Sequence, residues 1–387
     1  VSAEGKSPRR KRGASAEKDF AIHAALLLDP LVHHQTHNPN PLVIRLDNNW
    51  LSKGPPDALA RSRRMRPILD DLAEIGWLDV DKSFEYNAKK MTRLRAGPLL
   101  LKAAQRLSVT PEDVAEDARH VQSLVMKGKH DKNGRRPHLT YEETSETRRM
   151  AEEVRRLNAC FADADLSEAG DQRRVDLGSR NVHRVFHDGC FQSMGRLGGA
   201  AFWLNLEKGV REAQLRLCGE PIATADIASA IPRIAYALEG TAPDNDPYTL
   251  PDLPDAPRAG IKVAFQQLLW GPYTSQSRLA NEARDAIPSR YTAGVVFDAI
   301  IERNAPIAQY LGSEPSWGSR LMWHESEIII DATLRAYAEG FAVLPLHDAL
   351  IAPASQAEAA KVILSEAFMR RLGKWPEVTL EYPGERP

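Results

Sequence analysis

The chain has 387 residues, 43% of them hydrophobic and 27% charged, the proportions of a globular protein of two or three domains. Lysine and arginine number 51 against 52 aspartate and glutamate, a net charge of -1, which excludes a globally basic nucleic-acid coat and leaves room for local basic patches. Cys160, Cys190 and Cys218 are too scattered for a disulfide scaffold or a cysteine zinc site, and no apolar run approaches the roughly 18 residues of a membrane span.

Residues 1–18 set Lys6, Arg9, Arg10, Lys11 and Arg12 among Ser, Gly and Pro, the composition of a disordered basic arm that is either solvated or laid on phosphates. The start of the chain lacks the apolar core of a secretory signal, so a cytoplasmic location is expected. Residues 19–53 hold a short apolar stretch and a His- and Asn-rich loop. His33, His34 and His37 have no partner ligands at a recognisable spacing, so they do not read as a metal site.

In residues 57–80, Ile68, Leu69, Leu72 and Ile75 recur at helical spacing, Gly76 stops the helix, and "WLDV" reads as a short strand. Helix, glycine and short strand outline a winged-helix unit. Arg61, Arg63, Arg64 and Arg66 open the segment and Lys89, Lys90, Arg93 and Arg95 follow it, which favours nucleic-acid contact, with Arg63 and Arg64 as candidates. Residues 98–125 read as helices joined by "SVTPED". Residues 127–138, "KGKHDKNGRRPH", form a basic loop, either solvated or a clamp on a nucleic-acid backbone. A charged amphipathic helix is expected from Tyr141 to about Phe161, then a polar connector over 163–180.

From Val182 the chain turns to short apolar runs, glycine pairs and aromatics. Asp226 follows "EPIATA" and precedes "IASAIPRIAYAL", placing it where a strand turns into a helix. Asp348 lies in "FAVLPLHDALIA", the pattern of a hairpin with His347 and Asp348 at its tip. Carboxylates in apolar strands need partners. Two of them about 4 Å apart repel by about 4 kcal/mol at an effective dielectric of about 20, a cost that a cation relieves. Between them lies "RAGIKVAFQQLLWG". Arg258 and Lys262 are four residues apart on one helical face, Trp270 falls close to that face, and Gly271 ends the helix. Such a helix can hold a nucleoside triphosphate. It is equally the pattern of an amphipathic helix with a basic edge.

The order of these segments resembles the DNA polymerase I (family A) polymerases. "DIASAIPR" looks like motif A, D-Y-S-Q-I-E-L-R, with Asp226 on the metal aspartate and Arg233 on the final arginine. "RAGIKVAFQQLLWG" is similar to motif B, with Trp270 in place of the usual tyrosine, and "LHDA" resembles motif C, V-H-D-E. "GRL" at Gly195, Arg196 and Leu197 matches the T-G-R-L motif, and Arg211 stands 15 residues before Asp226, as an arginine does in the family. The resemblance spans about residues 180–353 and also looks like compact mobile-element members of the family.

The resemblance implies an α+β protein: a small palm, an antiparallel sheet carrying Asp226 and Asp348, over residues 181–387, with reduced helical fingers around 255–320. Residues 19–180 would form a mostly helical nucleic-acid-binding region with winged-helix-like and thumb-like parts. It implies a bacterial DNA polymerase that extends a primer on a template. Asp226 and Asp348 would bind two magnesium ions, or manganese. Lys262 and Arg258 would hold the triphosphate, with Lys262 the proton donor, Trp270 would pack on the nascent pair, and Arg211 would sit near the triphosphate or the template path. Arg196, His347 and Arg233 would contact primer or template, Glu325 is a candidate for template or metal contact, and His183, Arg184 and Phe186 for nucleic-acid contact.

Ile231 stands where the family has the glutamate that excludes the ribose 2′-hydroxyl, and Ala349 where it has the glutamate after the motif C aspartate. Nucleotide choice is therefore open between deoxyribonucleotides and ribonucleotides, the latter a primase-like variant. No proofreading domain is expected. A non-catalytic DNA-binding replication factor on the same scaffold, and a metal-dependent nuclease, are the readings from other classes.

Overall fold

A computed structural model describes residues 42–44, 65–82, 85–86, 89–90, 92–107, 122–132, 134–169, 177–313 and 317–384. The basic arm, the three histidines, Arg61, Arg63, Arg64 and "SVTPED" lie outside the described residues. The chain divides into two compact units: Val1–Glu116 with Gln172–Ser179, and Asp117–Asp171 with Arg180–Pro387.

In the first unit a three-stranded antiparallel sheet is ordered β1 (Leu42–Ile44), β5 (Thr92–Ala96), β2 (Leu78–Asp81). Helix α1 (Met65–Glu74) precedes β2, and β3 (Glu85–Tyr86) pairs with β4 (Lys89–Lys90). Helix α2 (Pro98–Arg106) follows β5. The expected order of helix, Gly76 and strand is present, and α1 buries Ile68, Leu69 and Leu72. Ile75 departs from the expected apolar face. The helix has ended before it, the chain is turning at Gly76, and the side chain is 53% exposed. Arg93 reaches Asp81 across the β2–β5 ladder at 3.5 Å.

The second unit holds two sheets. One is ordered β10 (Cys190–Gly199), β9 (Val182–His187), β6 (Leu124–Lys127), β7 (His138–Leu139), with β6 parallel to β9. Helix α3 (Ser145–Asp163) leaves β7 through a capping box, in which Thr144 and Thr147 exchange side-chain and backbone hydrogen bonds. The other sheet is antiparallel throughout. Its path is β13 (Leu344–Leu346), β14 (Ala349–Pro353), β12 (Glu220–Ile227), β11 (Leu215–Leu217), β8 (Leu166–Glu168), and β15 (Val378–Glu381) also pairs with β12.

Two expectations are corrected here. Leu124–Lys127 is a strand, where helix was expected up to Val125 and a basic loop from Lys127: its short apolar run is buried by pairing with β9. The polar connector contains β8, which pairs with β11. Both pairings tie these segments to strands of the unit that comprises Asp117–Asp171 and Arg180–Pro387.

Helices α4 (Phe202–Asn205) and α5 (Lys208–Gln214) lead into β11, and α6 (Ala230–Leu238) follows β12. Residues 258–310 are helical: α7 (Arg258–Trp270), α8 (Asn281–Ala286), α9 (Ala293–Arg303) and a 3-10 turn, Ala305–Tyr310. The 21-residue α10 (Gly318–Ala338) packs on β10, α6, α3 and α11 (Ala357–Leu372). One apolar core joins Ala225 and Ile227 of β12 with Ile234, Phe265, Phe297, Ile328, Leu350 and Phe368. All five residues of β14 are buried, which is why its sequence is an unbroken apolar run.

Candidate functional site

Strands β12 and β14 run antiparallel with Asp226 opposite Ala349, and the Ile227 amide donates to the Asp348 carbonyl at 3.4 Å. Asp348 belongs to the two-residue turn between β13 and β14, so the ladder sets the two aspartates side by side. The Asp226 carboxyl is pushed up to about 7, first by burial, then by the charges of Asp348 and Glu381. Lys262 and Lys208 pull it the other way. Five non-glycine residues among those described take a positive φ, and two of them flank these aspartates. His347, at φ 55°, immediately precedes Asp348, and Ser229, at φ 53°, lies three residues after Asp226. Left-handed backbone at an L-residue costs about 1–3 kcal/mol and clusters at functional sites.

Arg196, on β10, meets Glu325, on α10, in a two-pronged fork: Nε to Oε1 at 2.6 Å and Nη2 to Oε2 at 2.8 Å. Glu325 lies well inside α10, and its side chain is 0% exposed. Burial pushes its carboxyl up to about 7 against the pull of Arg196, and the charge of Asp348 adds to the rise. Arg196 and His347 line one small cavity of ≈ 10 Å³, room for about one water. The sequence offered Arg196, His347 and Glu325 as separate contacts. The fold brings them together beside Asp348.

Helix α7 presents Arg258 and Lys262 from its first turns, where backbone amides favour anions. The Arg258 guanidinium is held on three sides. Its Nε and Nη2 donate to Asp246 at 2.7 and 3.2 Å, Nη2 also donates to Ser229 Oγ at 3.0 Å, and its plane lies 5.1 Å from the Tyr248 ring centre. Nη1 has no protein partner among the described residues. Lys262 is exposed, and its charge acts on Asp226. Trp270 ends α7 with its ring against Gly318, where a Cβ would come to 3.0 Å of the ring carbons.

Asp246 and Tyr248 were missed in the sequence, because "DNDPY" falls between the matched segments and resembles neither. An acidic residue close ahead of a helix that opens on arginine was the available signal.

The remaining candidates have structural partners. Arg211 is buried, and its Nη1 donates to the carbonyls of Leu206 and Trp203 at 2.9 and 3.4 Å, so it ties α5 to the preceding turn. Arg233 donates to the Ala228 carbonyl at 2.7 Å and pairs with Glu377. Ile231 is partly buried against the core. Arg184 is fully buried: it pairs with Glu327 at 2.7 Å and donates to the Gly195 carbonyl at 2.9 Å. Phe186 is likewise core, so neither is open to nucleic acid.

Among the described residues no group of three or more His, Cys, Asp or Glu could hold a metal. Asp226, driven toward protonation first by burial and then by Asp348, and Asp348 beside it supply the one or two carboxylates that a magnesium ion would need, its shell completed by water and phosphate oxygens. No helix among the described residues is long and apolar enough to cross a membrane.

No family model matches the chain, and no curated protein matches it. Among solved structures, the POL domain of Pol1 from M. smegmatis, in complex with DNA primer-template and dNTP, aligns at a TM-score of 0.35 and 12% identity. The alignment covers 95% of this chain and 65% of that one, and at this level it assigns neither activity nor partner.

Proposed function

We propose that the chain is a template-directed nucleotidyltransferase that extends a DNA primer, without proofreading. The observation that carries this reading is the ladder that sets Asp226 and Asp348 side by side, with Lys262 close enough to act on Asp226. The order of the segments along the chain, which resembles the family A polymerases, supports it.

In this reading Asp226 and Asp348 would hold magnesium, which when bound activates a primer hydroxyl and offsets charge on the phosphates. Arg258 offers the free Nη1 edge of a guanidinium fixed by Asp246 and Ser229, so it meets an anion without first being ordered. Lys262 adds a second cation one turn along and can give a proton to the leaving pyrophosphate. The exposed Trp270 ring, 42% accessible, offers a face to a base. Arg196 projects its remaining donors beside the aspartates toward primer or template.

Ile231 supplies no polar contact to a sugar hydroxyl, so ribonucleotide use is the variant to test alongside. The experiment is extension of a labelled primer–template with magnesium, offering deoxyribonucleotides and then ribonucleotides, to wild type, Asp226→Asn and Asp348→Asn. Extension by wild type that falls at least about 1,000-fold in both variants, with duplex binding kept, is the expected result. A folded wild type that binds DNA and extends nothing would turn the reading to a non-catalytic replication factor. Degradation without added nucleotide would turn it to a nuclease.

A further inference from the structure

Residues 127–138 carry Lys127, Lys129, Lys132, Arg135 and Arg136 against a single acid, Asp131, in a chain whose 51 cations and 52 acids nearly balance overall. The described ones, 127–132 and 134–138, run from β6 to β7 as a hairpin and are held by their own polar groups. Asp131 accepts from the Arg135 amide at 2.8 Å, His130 Nδ1 meets the Gly134 carbonyl at 3.0 Å, and the Gly128 amide donates to Pro137 at 2.7 Å. Arg136 anchors the base, pairing with Asp188 of the β9–β10 turn at 2.5 Å and donating to the Gly128 carbonyl at 3.2 Å. The other four cations, Lys127, Lys129, Lys132 and Arg135, pair with no carboxylate among the described residues, and the last three are exposed.

Elsewhere in this unit most of the arginines described above are neutralised by a carboxylate or used on carbonyls. The hairpin is therefore an uncompensated positive patch on a stiff support. The field it makes is felt nearby: after burial, Lys127 and His138 push the His183 imidazole down, and Arg136 and Lys127 do the same to His187.

The patch shares a sheet with the candidate site. Arg196 lies on β10 opposite Val185 of β9, and Val185 lies opposite Val125 of β6, two residues before Lys127. From β10 to β7 is three strand spacings, about 14 Å. That distance is about four steps of one nucleic-acid strand at about 3.4 Å per phosphate. Lys129, Lys132 and Arg135 lie beyond the ends of β6 and β7, so they stand farther than this from Arg196, along the strands as well as across the sheet.

We propose that the β6–β7 hairpin grips the sugar-phosphate backbone of a nucleic-acid duplex whose end lies at Arg196, through Lys129, Lys132 and Arg135. The inference rests on the reading that this unit handles a primer–template, and it names a surface which that reading does not use. A β-hairpin that meets phosphates through lysine and arginine tips carries no base readout, so the grip is independent of sequence.

The test is duplex binding by fluorescence anisotropy, without nucleotide or divalent cation, from about 50 to 200 mM salt. It compares wild type with Lys129→Gln/Lys132→Gln/Arg135→Gln, and with a control, Arg148→Gln/Arg155→Gln/Arg156→Gln, that removes three exposed cations of α3. The hairpin variant is expected to bind about 10-fold or more weakly at the low-salt end. Its slope of log affinity on log salt should be shallower by about 2–3, at about 0.9 per lost phosphate contact. Its melting temperature, and its single-turnover extension rate at saturating duplex, should match wild type. An unchanged affinity and slope overturns the proposal, as does an equal loss in the control or a wild type that binds no duplex. DNA and RNA duplexes of one sequence serve as parallel arms, and a hairpin-dependent slope in either supports the grip. Hairpin-dependent binding without any primer extension would sink the polymerase reading and leave the grip standing. Extension with an unchanged slope would do the reverse.

Discussion

Arg196 and Glu325 lie 129 residues apart in sequence and meet in a fork buried on the Glu325 side. Removing one partner of such a pair leaves the other charge without compensation, so Glu325→Ala is expected to cost about 3–5 kcal/mol, measured by denaturant unfolding. Glu325→Gln keeps one acceptor, and Gln does not acquire charge as pH rises. It should cost less and unfold with a weaker pH dependence between about 4.5 and 7, since folding raises the wild-type carboxyl from 4.5 to about 7. Asp226 makes the sign explicit. Its folded carboxyl is raised from the ordinary carboxylate range to about 7, so it favours the folded state below about pH 4 and that contribution is lost as pH climbs to about 7. Asp226→Asn should therefore melt higher than wild type at pH 8 in the absence of divalent cations, by a few degrees, and the gap should close when magnesium is added. A wild type that melts independently of pH between 4 and 8 would remove this account of the site. Gly195 gives the third case. It has φ +73°, and an added Cβ would lie 2.8 Å from Arg184 Nη2 and 2.9 Å from the Phe186 ring. Gly195→Ala should cost at least about 2 kcal/mol, lowering the melting temperature by about 4–8 °C.

At the scale of elements, helix α10 serves two sheet residues from adjacent positions. Glu325 holds Arg196, while Ser326 and Glu327 hold Arg184. The helix is thereby keyed to β9 and β10 by polar contacts as well as by Ile328 and Ile329 in the core. Helix α3 depends on a smaller device, and Thr144→Ala should cost about 1 kcal/mol through loss of its cap, checked by thermal melting. The elements most legible in the sequence were those with a local signature. Gly76 marked the end of α1, and "PLHDALIA" announced the β13–β14 hairpin, because each pattern is set by neighbours in the chain. β6 was not legible, since three apolar residues in a row suit a helix or a strand and only the distant β9 decides. The site followed the same rule. Asp226, Asp348, Arg258 and Lys262 were offered by the order of segments that resembles the family A polymerases, since their spacing alone suits structural carboxylates and a helix with a basic edge as well. The fork between Arg196 and Glu325, and the seating of Arg258 on Asp246 and Tyr248, depend on tertiary contacts that no local pattern encodes.

At the scale of the molecule, the second unit is assembled from separated stretches, and β12 is its meeting point. It is bonded to β14 over Ile222–Asp226 and to β15 over Thr224–Ile227. Truncation after residue 377 would strip the strand that flanks Asp226. The truncated chain should bind an apolar dye and aggregate more readily than the full one, as an uncovered central strand invites pairing with other chains. The contact between Thr379 and Asp226 spans 153 residues. On a ribosome adding about 5–20 residues per second, β12 emerges about 8–30 s before β15 exists to meet it. Asp226 is thus among the first groups of this unit's chemistry to be synthesised and among the last to be enclosed. A nascent chain stalled before residue 378 would carry every residue of the candidate site and still lack the site.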